Sequence, residues 1–265
     1  ATGTYTMLLS PGATDKGKID LQLKSEVTGS IVINGAAVPV SLSSGQNGRY
    51  TFSGVAGQNL SMAYSGVSTN PAAKYITYSV YKPDGTLLFS DFWANNNRNV
   101  LPSLPATGTY ALQVNPQGIA SANVTLTLSA EVSAGTLVVD GPSGTFSTAR
   151  LGQNGRFTFA GTAGQTLGLG YTGVSTVPAS QSISYTVYKP DGSVLFGDLW
   201  ADNNSNNFPP LPVSGTYSIL VSPRASASSA TTTLTLSSDL AGTLTINGAS
   251  ANFATTRPGQ NGRYT

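Results

Sequence analysis

One octapeptide occurs three times in this chain at equal spacing. Gly45-Gln-Asn-Gly-Arg-Tyr-Thr-Phe52 returns as Gly152-Gln-Asn-Gly-Arg-Phe-Thr-Phe159, and Gly259-Gln-Asn-Gly-Arg-Tyr-Thr265 begins a third copy. Both offsets are 107 residues (152 − 45 and 259 − 152). A unit of this length can bury most of the surface that its unfolded chain exposes, so each full copy can fold alone. The sequence therefore predicts an array of one module.

Within each copy, apolar and polar residues alternate with a period of two. Such alternation is typical of half-buried antiparallel strands. The apolar positions of the first copy are Tyr50 and Phe52; Leu60, Met62 and Tyr64; Ile76, Tyr78 and Val80; Tyr110, Leu112 and Val114; and Val124, Leu126 and Leu128. Tight turns at Pro83-Asp-Gly85 and Pro190-Asp-Gly192 separate such runs. Short strands about ten residues apart predict an all-β sandwich of two sheets.

The repeat divides the chain into four predicted segments. Residues 1–27 would supply the last strands of a truncated repeat, 28–133 and 134–240 two β-sandwich repeats, and 241–265 the first strands of a further truncated repeat. Asn34-Gly35, Asp140-Gly141 and Asn247-Gly248 each lie between short β-rich runs, which indicates a hairpin. We therefore predict that short, stiff β-hairpin spacers join the modules.

The two partial segments cannot bury their apolar faces by themselves. Gly3 to Ser10 and Lys18 to Ser25 are expected to be strands, as are Thr243 to Asn247 and the residues onward to Thr265. Our first interpretation is that the chain is a window cut from a longer array. The alternative is that another chain completes each partial module by strand addition, and thereby builds a filament.

An ordered set of motifs resembles a known family. Five motifs follow one another in the first copy: Arg49-Tyr-Thr-Phe52, Ala56-Gly-Gln-Asn-Leu60, Tyr78 to Gly85, Leu104 to Tyr110 and Val124 to Leu128. This order, over residues 45–129 and 152–237, resembles bacterial pre-peptidase C-terminal (PPC) domains and the tandem modules of very large bacterial surface proteins. The resemblance implies jelly-roll-like β-sandwiches in a secreted or cell-surface setting, with a supporting or binding role. It supplies no catalytic residues, and no protease domain is visible here.

The charged and catalytic residue types are scarce. Only 9% of residues are charged, against about 25% in typical soluble domains. The net charge of +2 gives no electrostatic footprint for nucleic acid or an anionic membrane. Histidine and cysteine are absent, which removes the usual nucleophile pairs and transition-metal ligands. No apolar run approaches the ~18 residues of a membrane span. We therefore predict neither an enzyme nor membrane insertion.

Calcium is the one cation for which the sequence offers candidate ligands. Asp91 precedes a run of asparagines, and Asp198 and Asp202 occupy the corresponding stretch of the second copy. Hard cations take carboxylate and amide oxygens in loops. With so few carboxylates the site would be weak, and the preferred interpretation is a loop whose side chains bond their own backbone. The sequence predicts no other cofactor.

Trp93 and Trp200 are the only tryptophans, and both lie beside these asparagine runs. Exposed, each indole could stack on a sugar ring of a glycan. The preferred interpretation is that each one caps the end of a sandwich core.

Arg49, Arg156 and Arg263 occupy the same position in the octapeptide. One interpretation makes them contacts to an adjoining module or a neighbouring chain. The other places each arginine over aromatic side chains at a strand edge.

Together these features predict a non-catalytic segment of an extracellular or cell-surface bacterial protein. Its expected partners are neighbouring repeats of the same protein, with self-association into filaments permitted by the low charge. The alternative is a lectin-like module for adhesion to glycans or surfaces, which would use Trp93 and Trp200.

Overall fold

The computed structural model of this protein describes residues 3–10, 12, 16–224 and 227–265, which form strands and no helix. The first repeat contains β1 (Val27–Ser30), β2 (Val38–Leu42), β3 (Gly48–Gly54), β4 (Leu60–Asn70), β5 (Ile76–Tyr81), β6 (Leu87–Trp93), β7 (Asn97–Val100), β8 (Gly108–Pro116) and β9 (Ser121–Ala130). The second contains β10 (Val132–Thr136), β11 (Gly144–Thr148), β12 (Gly155–Gly161), β13 (Leu167–Val177), β14 (Ile183–Tyr188), β15 (Val194–Trp200), β16 (Asn204–Asn207), β17 (Gly215–Pro223) and β18 (Ser229–Ser238). Strands β19 (Leu240–Gly242) and β20 (Gly262–Tyr264) follow. The predicted all-β class is confirmed.

The strands form two sandwiches of the same topology. In the first, a sheet of order β1-β3-β8-β5-β6 faces a sheet of order β2-β9-β4-β7. In the second, β10-β12-β17-β14-β15 faces β11-β18-β13-β16, which is the same order with each strand number raised by nine. The pairs β1–β3, β10–β12 and β19–β20 are parallel, and the other described pairings are antiparallel. Each two-sheet unit encloses its own hydrophobic core.

A pair of tyrosine rings in contact joins the two sheets inside each core. Tyr64 of β4 and Tyr78 of β5 have ring centroids 3.8 Å apart, and Tyr171 and Tyr185 have centroids 4.3 Å apart in the second core. All four side chains are fully buried. Because one ring comes from each sheet, these contacts fix the spacing of the two layers.

The predicted hairpin spacers are wrong. Strands β1 and β2 do not pair with each other, since β1 lies parallel to β3 in one sheet and β2 lies antiparallel to β9 in the other. The turn at Asn34 (φ 58°) carries the chain between the sheets, and its side-chain oxygen accepts a hydrogen bond from the Ala130 amide at 2.9 Å. The apolar faces of both strands must cover one core from opposite sides. A two-stranded ribbon would leave those faces in solvent.

The strands expected at the ends of the chain form only in part. No strand occurs in the described residues 3–10, 12 and 16–25, and residues 11 and 13–15 lie outside the description. The apolar side chains there face solvent, including Leu8 (89% exposed) and Leu23 (95%). Ile246 near the other end is also exposed. The equivalent strands of a full copy, β8 and β9, each lie between two neighbours. The described residues supply no such neighbours to the end segments.

One buried hydroxyl differs between the two cores and gives a test of the packing. The Tyr185 hydroxyl donates to Thr232 Oγ1 at 2.9 Å. The equivalent hydroxyl of Tyr78 has no partner among the described residues, because Val124 occupies the position of Thr232. We expect Val124→Thr to stabilise the first sandwich by about 1 kcal/mol, and Thr232→Val to destabilise the second by about 1–3 kcal/mol.

Denaturant unfolding, followed by NMR signals assigned to each sandwich, measures both changes. Each variant serves as the other's control, since the two exchanges reverse each other chemically. A loss of stability in Val124→Thr, or no loss in Thr232→Val, would contradict the hydrogen-bond account.

Candidate functional site at the joint between sandwiches

The repeated Gly-Gln-Asn-Gly loop lies against the preceding sandwich. The loop of the second copy contacts β4, where the Ser61 hydroxyl donates to the Gly152 carbonyl at 2.6 Å in a buried position. Gly152 has a φ of 73°, and a Cβ atom added to it would lie 2.7 Å from the Cβ of Ala63. Only a residue without a side chain tolerates both the backbone conformation and this close approach. The octapeptide that revealed the repeat is therefore a contact between neighbouring modules.

The next joint has the same design. The loop of the third copy lies on β13, where the backbone of Gly259 comes close to Gly168 and Gly170. Ser237 at the end of β18 donates to the Pro258 carbonyl at 3.1 Å. Glycine or another small residue on the strand below admits the loop backbone at both joints.

An arginine just before each loop donates to the preceding sandwich. Arg150 donates through Nη2 to the Gly35 carbonyl at 2.9 Å and through Nε to Ser129 Oγ at 3.3 Å. Its acceptors therefore lie on the turn before β2 and on β9. Arg150 therefore links an early and a late segment of the first sandwich to the start of the second.

The second joint repeats this arginine contact. Arg257 donates through Nη2 to the Gly141 carbonyl and through Nε to Ser237 Oγ at 3.3 Å. In the first copy, Ser43 stands at the equivalent position. These two arginines precede the octapeptide, so the repeated motif does not include them. The available signal was their own spacing of 107 residues (257 − 150).

The three arginines singled out within the octapeptide form ion pairs instead. The pairs are Arg49 with Glu26 at 2.7 Å, Arg156 with Glu131 at 2.6 Å, and Arg263 with Asp239 at 3.1 Å. Each carboxylate lies just before the first strand of its repeat, so the pair holds that strand against its parallel neighbour. The hydrogen bond from Arg49 lowers the pKa of Glu26. Arg156 also lies over the Tyr188 ring at 5.3 Å.

Both tryptophans lie half-buried at the margin of a core, with the indole N–H hydrogen-bonded. Trp93 donates to Asn99 Oδ1 at 3.1 Å, and Asn99 in turn donates to Asp91 Oδ2 at 2.7 Å. In the second copy, Trp200 donates directly to Asp198 Oδ2 at 2.7 Å. Each indole therefore packs against a core and belongs to a polar network there.

The structure places one calcium candidate, Asp91, in the first sandwich and the other two, Asp198 and Asp202, in the second. Asp91 and Asp198 each accept hydrogen bonds from neighbouring amides. Asp202 is exposed on a loop. Across residues 3–10, 12, 16–224 and 227–265, no three Asp, Glu, His or Cys side chains come close enough to hold an ion together.

A cleft of about 790 Å³ opens between the two sandwiches at the Trp93 loop. One wall carries Trp93, Arg98 and Asn99 of the first sandwich, and the other carries Leu199 and Arg224 of the second. Two cations and several amides line this space.

In the described ranges, no helix is long and apolar enough to cross a membrane.

Neither a family model nor a curated protein sequence matches this chain. Among solved structures, the chain aligns with PliG, a periplasmic inhibitor of g-type lysozyme from Aeromonas hydrophila, at 17% identity and a TM-score of 0.28, over 39% of this chain and 99% of that one. The CUB1-EGF-CUB2 domains of rat MASP-1 align at 7% identity and a TM-score of 0.24, over 78% and 99%. The PBSX exported protein XepA aligns at 9% identity and a TM-score of 0.29, over 77% and 87%. Since each TM-score is below 0.5, we transfer no property of these proteins to this chain.

The glycine of the joint can be tested against its own counterpart. Gly45 has nearly the same φ as Gly152 (70° and 73°), yet a Cβ on Gly45 would meet nothing within 4 Å. Both Gly45→Ala and Gly152→Ala should cost about 1 kcal/mol of backbone strain. Only Gly152→Ala should also displace the second sandwich from Ala63. Denaturant unfolding and residual dipolar couplings of each sandwich measure the two effects, and an unchanged relative orientation in Gly152→Ala would contradict the proposed contact.

Proposed function

We propose that this chain is a non-catalytic structural segment of a large secreted or cell-surface bacterial protein, in which tandem sandwiches form a stalk, fibre or filament. The observation that supports it is the recurrence of one joint. At both boundaries, a Gly-Gln-Asn-Gly loop lies on the preceding sandwich and an arginine donates to a carbonyl of that sandwich.

A recurring joint has a mechanical consequence. In a repeat array, each unit contacts only its neighbours, so a constant contact sets a constant rotation from unit to unit. Hydrogen bonds from Ser61 and Arg150 resist bending at the boundary in a way that a Gly/Ser tether does not. The array would therefore transmit force along its length and present its surface at a fixed distance.

The setting and partners follow from the sequence. Resemblance to PPC-like modules of surface proteins supports an extracellular or cell-surface location. The partners we propose are neighbouring repeats of the same protein and, through the weakly charged outer faces, further copies in a filament. Completion of partial modules by strand addition is one route to such a filament, because the exposed apolar residues of the end segments would be buried by it.

Loss of the arginine contact tests the structural role. We expect both sandwiches of the unaltered chain to tumble as one elongated body. Arg150→Ser, which introduces the residue found at the equivalent position 43, should let the two sandwiches tumble independently. NMR relaxation yields the rotational diffusion tensor of each sandwich. Lys74→Ser, on an exposed loop, is the matched control and should leave the tensor unchanged. Independent tumbling of the two sandwiches in the unaltered chain would refute the rigid-array proposal.

The second candidate is a lectin-like module, and the cleft beside Trp93 favours it. The hydrogen bonds already made by both indoles favour the structural role instead. If the tryptophans are caps, Trp93→Ala and Trp200→Ala should each cost about 1–2 kcal/mol, as expected for a half-buried ring.

Phe92→Ala is the control for these variants, since Phe92 is 56% exposed on the adjacent position of β6. Urea unfolding measures stability, and a glycan array measures binding. Glycan binding that disappears in a variant of unchanged stability would favour the lectin.

A further inference from the structure

The cleft between the sandwiches brings together two arginines that the repeat does not reproduce. Arg98 on β7 and Arg224 after β17 both line it. In the second copy, Ser205 stands at the position of Arg98, and in the first copy, Gln117 stands at the position of Arg224. The shared fold therefore does not require either arginine. The presence of both arginines at this boundary therefore needs an explanation specific to the boundary.

Arg98 reaches across the boundary but meets only neutral acceptors. It donates to Asn154 Oδ1 at 3.3 Å and to the Ser222 carbonyl at 3.2 Å. A guanidinium has five N–H donors, so these two bonds leave others for a ligand. No described carboxylate forms a salt bridge with Arg98 or Arg224.

The cleft is lined by two like charges. Burial of the guanidinium and, after it, repulsion from Arg224 lower the pKa of Arg98 to about 10. An anion placed between the arginines would relieve both effects, since it would supply charge-assisted hydrogen bonds and cancel the repulsion. Asp91 does not do so, because it accepts a hydrogen bond from Asn99 and does not line the cleft.

We propose that this cleft binds a sugar acid, with its carboxylate between Arg98 and Arg224. Arginine binds planar oxyanions through paired N–H groups. The remaining lining suits a sugar ring: Trp93 and Leu199 supply apolar lining from the two sandwiches, and the amides of Asn95 and Asn96 can bond hydroxyl groups. The site exists only where two sandwiches meet. Binding of a sugar acid there is independent of the structural role proposed above.

The test compares glucuronate with glucose, because the two differ only in a carboxylate in place of a hydroxymethyl group, and with sodium sulfate at the same ionic strength. Isothermal titration calorimetry of the full chain measures binding. We expect glucuronate to bind at least ~5-fold more tightly than sulfate, and glucose to show no saturable binding. Arg98→Ser and Arg224→Gln should each weaken glucuronate binding by about 10-fold, the effect of losing one charge-assisted hydrogen bond.

Both variants introduce the residue that the chain itself carries at the equivalent position, so each should fold, and NMR amide spectra check this. Lys18→Gln removes one charge from an exposed position that does not line the cleft and should leave the affinity unchanged. Arg224→Gln also separates ligand binding from the joint, since only Arg98 forms the cross-boundary hydrogen bonds given above.

The proposal is overturned if glucuronate does not bind, if glucose binds equally well, or if sulfate binds as tightly as glucuronate, which would indicate a site for a free anion. It is also overturned if Lys18→Gln weakens binding as much as the two arginine variants do. The structural array would survive each of these results, because its test is the relative tumbling of the sandwiches.

Discussion

Each strand of this protein has one apolar face, and that face is stable only when a second sheet covers it. This constraint determines the two-layer units, because burial of roughly 25 cal/mol per Å² is the main favourable term available to such a chain. It also explains why β1 and β2 enter opposite sheets. The same constraint leaves Leu8, Leu23 and Ile246 exposed in the end segments, where no covering sheet is described.

The joint between sandwiches has a different physical basis from the cores. Its contacts are hydrogen bonds to main-chain carbonyls and close approaches of small residues, such as Gly152 on Ala63. Contacts of this kind bury little apolar surface but have narrow geometric tolerance. They therefore contribute more to the relative orientation of two domains than to the stability of either one.

The sequence allowed the fold class and the repeat to be predicted, because period-two alternation and the octapeptide are local signals. It did not allow the crossing from one sheet to the other at Asn34 to be predicted. A turn between two β-rich runs has the same residues whether the two strands pair with each other or with strands of different sheets. The joint and the cleft were also missed. Arg150 and Arg98 acquire their contacts from residues 115 and 56 positions away (Gly35 and Asn154), and nothing in the local pattern specifies those partners.

Differences between the copies are more informative about the cleft than their similarities are. Duplication of one module would by itself place an arginine at position 257 to match Arg150. The recurrence of this arginine is therefore explained by duplication as well as by a shared contact between modules. Arg98 and Arg224 differ in this respect, because each stands where the other copy has a neutral residue and both line one cleft. Two like charges on one cleft are unfavourable for the folded chain alone. A ligand of opposite charge gives that arrangement a physical reason, and an array with such a site would carry recognition at one of its boundaries while the others remain structural.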